Sequence, residues 1–342
     1  MPSPEAETRP DIRRLLPAAV GVVISVALLL WALRGLSLDD VLRHVRAARP
    51  APLAAAVLIA TLTFPVRWIR WRVLLGDSAA RPESSWALWH AVAIGFMANN
   101  VLPLRAGELV RSYAAARLGG IRFSTVLSSV AVERIFDALT VVALLTVALL
   151  NADLPGTLMV GNVSVAHVAQ AGALVSGIAV LAALLMLLAP VRAERLIRRL
   201  PWPGVADKLV SFIEGVRLGL NVLRTPRSLV LVVFWSLVLW MINALAFYVA
   251  FDAFDIPVSY VGALLLQGLL VLGISIPSTP GFFGPFEAVM VAVLALYGVA
   301  NDVAFSYAIA YHITSFLPIT LLGLWSLTRI PGGLRSLRQM PS

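Results

Sequence analysis

SLVLVVFWSLVLWMINALAFYVAF, residues 228–251, runs for 24 residues without a charged side chain. At about 1.5 Å of rise per residue, a helix of this length crosses the roughly 30 Å hydrocarbon core of a bilayer. The stretch opens a longer one. From Ser228 to Thr328 there is no basic residue, and the only acids are Asp252, Asp255, Glu287 and Asp302. A soluble domain carries about 25% charged residues, whereas this chain of 342 residues carries 13%, with 60% apolar. That balance excludes a soluble globule and a disordered chain. The absence of cysteine excludes a secreted disulfide scaffold. The expected fold class is an all-α polytopic membrane protein.

Working outward, charge-free windows of spanning length occur at 17–33, 51–66, 86–104, 163–190, 228–251, 259–286 and 303–328. Another, 123–150, is interrupted only by Glu133, Arg134 and Asp137. Basic residues collect on the cytoplasmic side of membrane proteins. The 191–227 connection holds eight of them and the tail after Leu327 holds Arg329, Arg335 and Arg338. Links 67–85 and 105–122 hold four arginines each, while 151–162, 252–257 and 298–302 hold none. With both its ends cytoplasmic, 86–104 is expected to re-enter. The reading is six full spans plus two broken hairpins, near 86–117 and 259–299, arranged as two inverted repeats of the kind found in secondary transporters. The expected divisions are a disordered cytoplasmic tail at 1–14, a first repeat at 15–150, an external link, span and basic connection at 151–227, the rest of the second repeat at 228–328, and a basic cytoplasmic tail at 329–342. Both termini are then cytoplasmic, in a multi-pass protein of the cytoplasmic membrane. The link 34–50 fits badly, since Arg34, Arg43, Arg46 and Arg49 fall outside, and its pattern suits an amphipathic helix lying on the surface.

Two stretches break the apolar pattern. GFMANNVLPLRAGELVR (95–111) carries Asn99, Asn100, Pro103, Arg105, Gly107, Glu108 and Arg111. GISIPSTPGFFGPFEAVM (273–290) carries Pro277, Ser278, Thr279, Pro280, Gly281, Gly284, Pro285 and Glu287. Non-helical backbone at membrane depth is tolerated only where protein buries it or it lines a wet cavity. Pro103 and Pro285 suit the first turn of a new helix, whose free amides and positive dipole end favour an anion. Arg105, Glu108 and Arg111 share one helix face at i, i+3, i+6. An arginine there could meet a phosphodiester, and Glu108 or Glu287 a cationic group or a coupling proton. The plainer readings stay beside these. Glu287, third after Gly284-Pro285, suits a helix cap. Arg105 and Arg111 suit interfacial anchors, and Asn99 and Asn100 suit caps. Arg134 and Asp137 at i, i+3 would neutralise each other and leave Glu133 as an excess acid. Trp68, Trp71, Trp86, Trp89 and Trp325 suit an interfacial belt.

The four histidines, His44, His90, His167 and His312, are scattered without metal-ligand spacing, and no phosphate-binding GxxxxGK[ST] loop or GxSxG elbow is present. No metal or other cofactor is expected. The net charge of +9 points to anionic lipid head groups and away from nucleic acid, given the charge-free runs around it. Asp39-Asp40 is a weak hint of a metal-dependent transferase acting on lipid-linked sugars.

The pattern N-x-x-P-x-R-x-G-E-x-x-R (Asn100–Arg111), then S-x-x-x-E-R-x-x-D (Ser129–Asp137), then P-x-x-P-G-x-x-G-x-x-E (Pro277–Glu287), resembles the transmembrane region of lysylphosphatidylglycerol synthase/flippase proteins. The likeness spans about residues 15–330. It implies a domain that moves aminoacylated phospholipid between leaflets, with relatives tied to glycolipid or polyprenyl-lipid processes. It does not imply lysyl transfer, because the bifunctional members use a further soluble domain for which the sequence past Thr328 leaves no room. The expectation is therefore a flippase for a phospholipid, aminoacylated or related, and not an enzyme. Its partners would be anionic or aminoacylated membrane lipid. The alternative is a membrane subunit or scaffold for a separate enzyme of lipid or lipid-linked-sugar modification.

Overall fold

The computed structural model describes residues 12–76, 82–102, 106–151, 225–275 and 279–330, together with short pieces between 159 and 178. Ten helices are laid out along these residues: α1 (Ile12–Ala32), α2 (Leu38–Ala47), α3 (Pro50–Leu75), α4 (Pro82–Val101), α5 (Gly107–Gly119), α6 (Phe123–Asn151), α7 (Pro226–Phe251), α8 (Tyr260–Gly273), α9 (Pro285–Ala295) and α10 (Asn301–Leu327). A two-residue antiparallel ribbon, Met159–Val160 with Val163–Ser164, is the only β structure among them. Among the described residues, Pro50–Leu75, Pro226–Phe254 and Asn301–Leu327 are long and apolar enough to cross a membrane. Their outward faces carry Leu58, Leu62, Val230, Leu237, Leu317 and Leu321 exposed, an arrangement that water would penalise and hydrocarbon accepts. The chain is an all-α, multi-pass membrane protein. Most of the 1–14 and 329–342 tails, most of the 163–190 window and nearly all of the basic 191–227 connection lie outside the described residues.

Both polar stretches interrupt helices. α4 ends at Val101 and α5 begins at Gly107, the two packing along each other, and α8 ends at Gly273 and α9 begins at Pro285, also in contact. With 14 and 11 residues, α8 and α9 are about 21 and 16 Å long, so neither crosses the core alone. Each pair also packs against a distant helix: α4 runs along α10 and α8 runs along α6. Between them α3 and α7 pack along each other.

Two glycine contacts set the spacing. At the α4–α5 crossing a Cβ on Gly107 would collide with the Gly95 carbonyl and the Asn99 side chain, so the small residue lets the two backbones touch. Gly284 has φ +98 and abuts the Ser25 carbonyl of α1, a conformation and a proximity that only glycine combines. The two breaks also approach each other, since the space beside Gly281 (φ +71) is bounded by the Asn100 carbonyl and Phe316.

The awkward 34–50 link contains the amphipathic helix α2, which buries Val41 against α10. Its arginines have acids to meet. Arg49 pairs with Asp255 at 3.0 Å and donates to the Asp252 carbonyl, and His44 lies 3.9 Å from Asp302. The basic link and the acidic connections 252–257 and 298–302 therefore share one face of the molecule.

Candidate functional site

Charges buried among α3, α5 and α6 come first, because a lone ion at membrane depth is too costly to persist. Glu133 and Asp137 stand one turn apart on α6. Arg111 of α5 reaches Glu133 with both terminal nitrogens, at 3.0 and 2.8 Å, and its guanidinium lies 3.7 Å above the Trp71 ring. Arg70 of α3 bridges the two acids, at 3.1 Å to Glu133 and 2.5 Å to Asp137, and donates to Ser236 of α7 at 3.0 Å. Arg134 contacts both acids, at 2.7 and 2.9 Å. Trp240 of α7 donates to Asp137 at 3.0 Å. Arg70, Arg111, Glu133 and Asp137 are all buried. One further cation, Arg67, stands within electrostatic reach of the group. Four guanidiniums thus face two carboxylates.

Arg67 is the one that opens onto space. A cavity of about 240 Å³ is lined by Arg67, Asn100, Asn243, Gln267, His312 and Ser315, and otherwise mostly by aromatic and aliphatic side chains such as Phe96, Trp240 and Phe286. Arg67 rests over the Phe96 and Trp240 rings, at 4.7 and 5.8 Å. Its Nη1 is buried with no hydrogen-bond partner among the described residues. Such an unmatched charged donor normally costs several kcal/mol and marks a place for an acceptor. Opposite, Asn243 of α7 donates to Gln267 of α8 at 2.9 Å. His312 of α10 stacks on Phe286 at 3.9 Å, and its Nδ1 lies 2.6 Å from Glu287.

The residues singled out from the sequence divide into three groups. Asn100 lines the cavity and donates to Thr320 at 2.9 Å, while Asn99 accepts from the Gly107 amide at 2.8 Å and caps the start of α5. Glu287 is fully buried. One of its oxygens accepts from the Gly284 amide at 2.7 Å, which caps α9, and the other holds His312, so it reaches the cavity through that ring. Arg111, Glu133, Arg134 and Asp137 form the ion network. Glu108 sits in the first turn of α5, within electrostatic reach of Arg134. The Thr279 amide donates to Ser25 Oγ of α1 at 2.9 Å. Pro280, Gly281, Gly284 and Pro285 shape the second break. Pro103, Arg105, Pro277 and Ser278 lie outside the described residues.

Four residues of the site escaped the sequence reading. Arg67 and Arg70 were counted as loop arginines of the link 67–85, but α3 continues to Leu75 and carries them inside. Their i, i+3 spacing among Trp68 and Trp71, opposite the acids of α6, was the available signal. Asn243 and Gln267 were hidden in charge-free runs. Trp71, placed in the interfacial belt, is fully buried and donates to Ser129 at 2.9 Å. Among the described residues no cluster of three metal-ligating side chains occurs.

The family described as lysylphosphatidylglycerol synthase TM region matches residues 18–323. The chain belongs to this family. Similarity extends to two UPF0104 membrane proteins of Methanothermobacter thermautotrophicus. One is 28% identical over 92% of this chain and 92% of its own length, and the other 23% identical over 83% and 85%. A third relative, the glycosyltransferase AglD of Haloferax volcanii, is 36% identical over 138 residues, which are 40% of this chain and 22% of that protein. The match therefore takes in about a fifth of AglD. The family match spans both breaks and the ion network, so the residues lining the cavity all lie inside it.

Proposed function

We propose that this family member carries a lipid with an anionic head group between the leaflets of the cytoplasmic membrane, the head group passing through the 240 Å³ cavity while the chains stay in hydrocarbon. One observation carries the reading: Arg67 lines the cavity and its buried Nη1 has no hydrogen-bond partner among the described residues, so that a phosphate oxygen entering there supplies an acceptor. Arg70 and Arg111 are held by carboxylates and act by positioning α3 and α5. Glu287 orients His312 towards the same space. Arg105 and Glu108, next to the first break, serve the head group on its way to the cavity. Asn100 beside the first break and Ile274 and Phe282 beside the second line the cavity, which supports a carrier whose substrate site is built from broken helices.

The test uses purified protein in vesicles containing fluorescent phosphatidylglycerol, with a membrane-impermeant quencher reading the outer leaflet. Wild type is expected to expose the lipid in excess of empty vesicles, and Arg67→Met to lose at least about tenfold of that rate while inserting normally. Equal rates in the two proteins count against the site. The AglD likeness supports a second reading, a membrane module serving a glycosyl-transfer enzyme. It takes the lead if the wild-type protein alone moves no lipid but binds one.

A further inference from the structure

The chemistry of the head group can be read from which charges reach the cavity. Arg67 and His312 line it, together with the amides Asn100, Asn243 and Gln267 and the hydroxyls of Thr63 and Ser315, and no carboxylate does. The neighbouring acids do not line the cavity and are held in pairs, although the buried Oδ2 of Asp137 has no hydrogen-bond partner among the described residues. Glu287 is divided between the Gly284 amide and His312. Glu133 is divided among Arg70, Arg111 and Arg134, and Asp137 among Arg70, Arg134 and Trp240. An ammonium group entering the cavity would meet a surplus of positive charge with no counter-ion. Of the rings along the wall, Phe96 and Trp240 lie under the Arg67 guanidinium and Phe286 is covered by His312, so the faces nearest the polar groups are taken, while Phe64, Phe247 and Phe316 line the rest. What the walls do offer is a cation for phosphate, and amide donors and acceptors suited to hydroxyl groups. In the Asn243–Gln267 pair the bond uses one donor and one acceptor, leaving the Asn243 oxygen and the Gln267 nitrogen for a ligand.

Resting on the lipid-carrier reading, we propose that the cavity selects a phosphate head group whose remainder is neutral and hydroxyl-bearing, and rejects a lysyl-type ammonium. The membership of the chain in a family named for a lysyl lipid would then describe common descent and not this protein's cargo.

The experiment offers the detergent-solubilised chain an equimolar mixture of phosphatidylglycerol and lysylphosphatidylglycerol, which differ by the lysyl group alone, and reads retained lipid by native mass spectrometry. A parallel sample contains free glycerol phosphate to separate lipid binding from simple anion binding. Phosphatidylglycerol is expected to be retained at least about tenfold over the lysyl lipid, a difference equal to about 1.4 kcal/mol, and free glycerol phosphate should not displace it. Arg67→Met should abolish the preference. Gln267→Glu, which puts a carboxylate on the wall without removing the arginine, should narrow or reverse it. Retention of the lysyl lipid at or above phosphatidylglycerol, lost in Arg67→Met, keeps the carrier site and overturns the selectivity. Displacement by free glycerol phosphate likewise overturns the lipid assignment. Retention of neither lipid overturns both.

Discussion

Replacing Glu133 by Gln keeps the shape of the buried network and removes one charge, so its effect can be worked out group by group. Arg70 keeps Asp137 at 2.5 Å and Arg134 keeps it at 2.9 Å. Arg111 keeps no acid, because Glu133 is its one carboxylate partner among the described residues. It retains the face of Trp71, a contact worth about 0.5–2 kcal/mol, and one neutral hydrogen bond to the Gln oxygen. Stripping the partner from a buried ion costs about 3–5 kcal/mol; the Trp71 contact is present before and after, and the hydrogen bond still accepted by the Gln oxygen returns about 1 kcal/mol, so the variant should lose about 2–4 kcal/mol. This lowers the folded-to-unfolded ratio by roughly 30- to 1,000-fold. The assay is reversible unfolding of the purified protein in mixed micelles, followed by tryptophan fluorescence. Adding Arg111→Met removes the stranded guanidinium and should restore at least half of the loss. A Glu133→Gln variant within about 1 kcal/mol of wild type, or a double variant no better than the single one, would refute the charge assignment.

Two further outcomes follow from local geometry. Gly284→Ala must hold φ near +98 with a methyl against the Ser25 carbonyl; strain of this kind costs about 1–3 kcal/mol, and the same unfolding titration should show a loss at or above that range. Arg49→Ala, by contrast, deletes an exposed pair with Asp255 and should change stability by no more than about 1 kcal/mol, so a larger loss by that measurement would show that the Arg49 bond to the Asp252 carbonyl anchors α2.

The membrane architecture was legible wherever one property dominated a long window. Residues 228–251 had no alternative to a helix, and α7 covers 226–251. The breaks were legible because proline and glycine act locally, and helices do end beside Asn100 and resume at Pro285. Partner choice was not legible. Arg70 meets Asp137 across 67 residues of chain, and nothing local distinguishes such an arginine from one snorkelling at an interface. Charge counting therefore assigned it to a loop. His312 looked like one of four scattered histidines until folding set it beside Glu287, across 25 residues. Asn243 and Gln267 each sit in a charge-free run, and window averages erase single amides. For Glu287 the capping role was written in its position three residues after Gly284, whereas its second contact required the fold.

The distance along the chain between α3 and its acids also bears on how the protein is made. Arg70 lies 67 residues ahead of Asp137, and synthesis proceeds at about 5–20 residues per second. For roughly 3 to 13 seconds the ribosome has delivered Arg70 of α3 but not the carboxylates that neutralise it. Such an arginine costs about 2.5–3.5 kcal/mol at the centre of a bilayer on insertion scales. A newborn α3 is thus a poor lipid-facing helix, and its favourable waiting place is the wet lateral gate of the insertion machinery until α6 emerges.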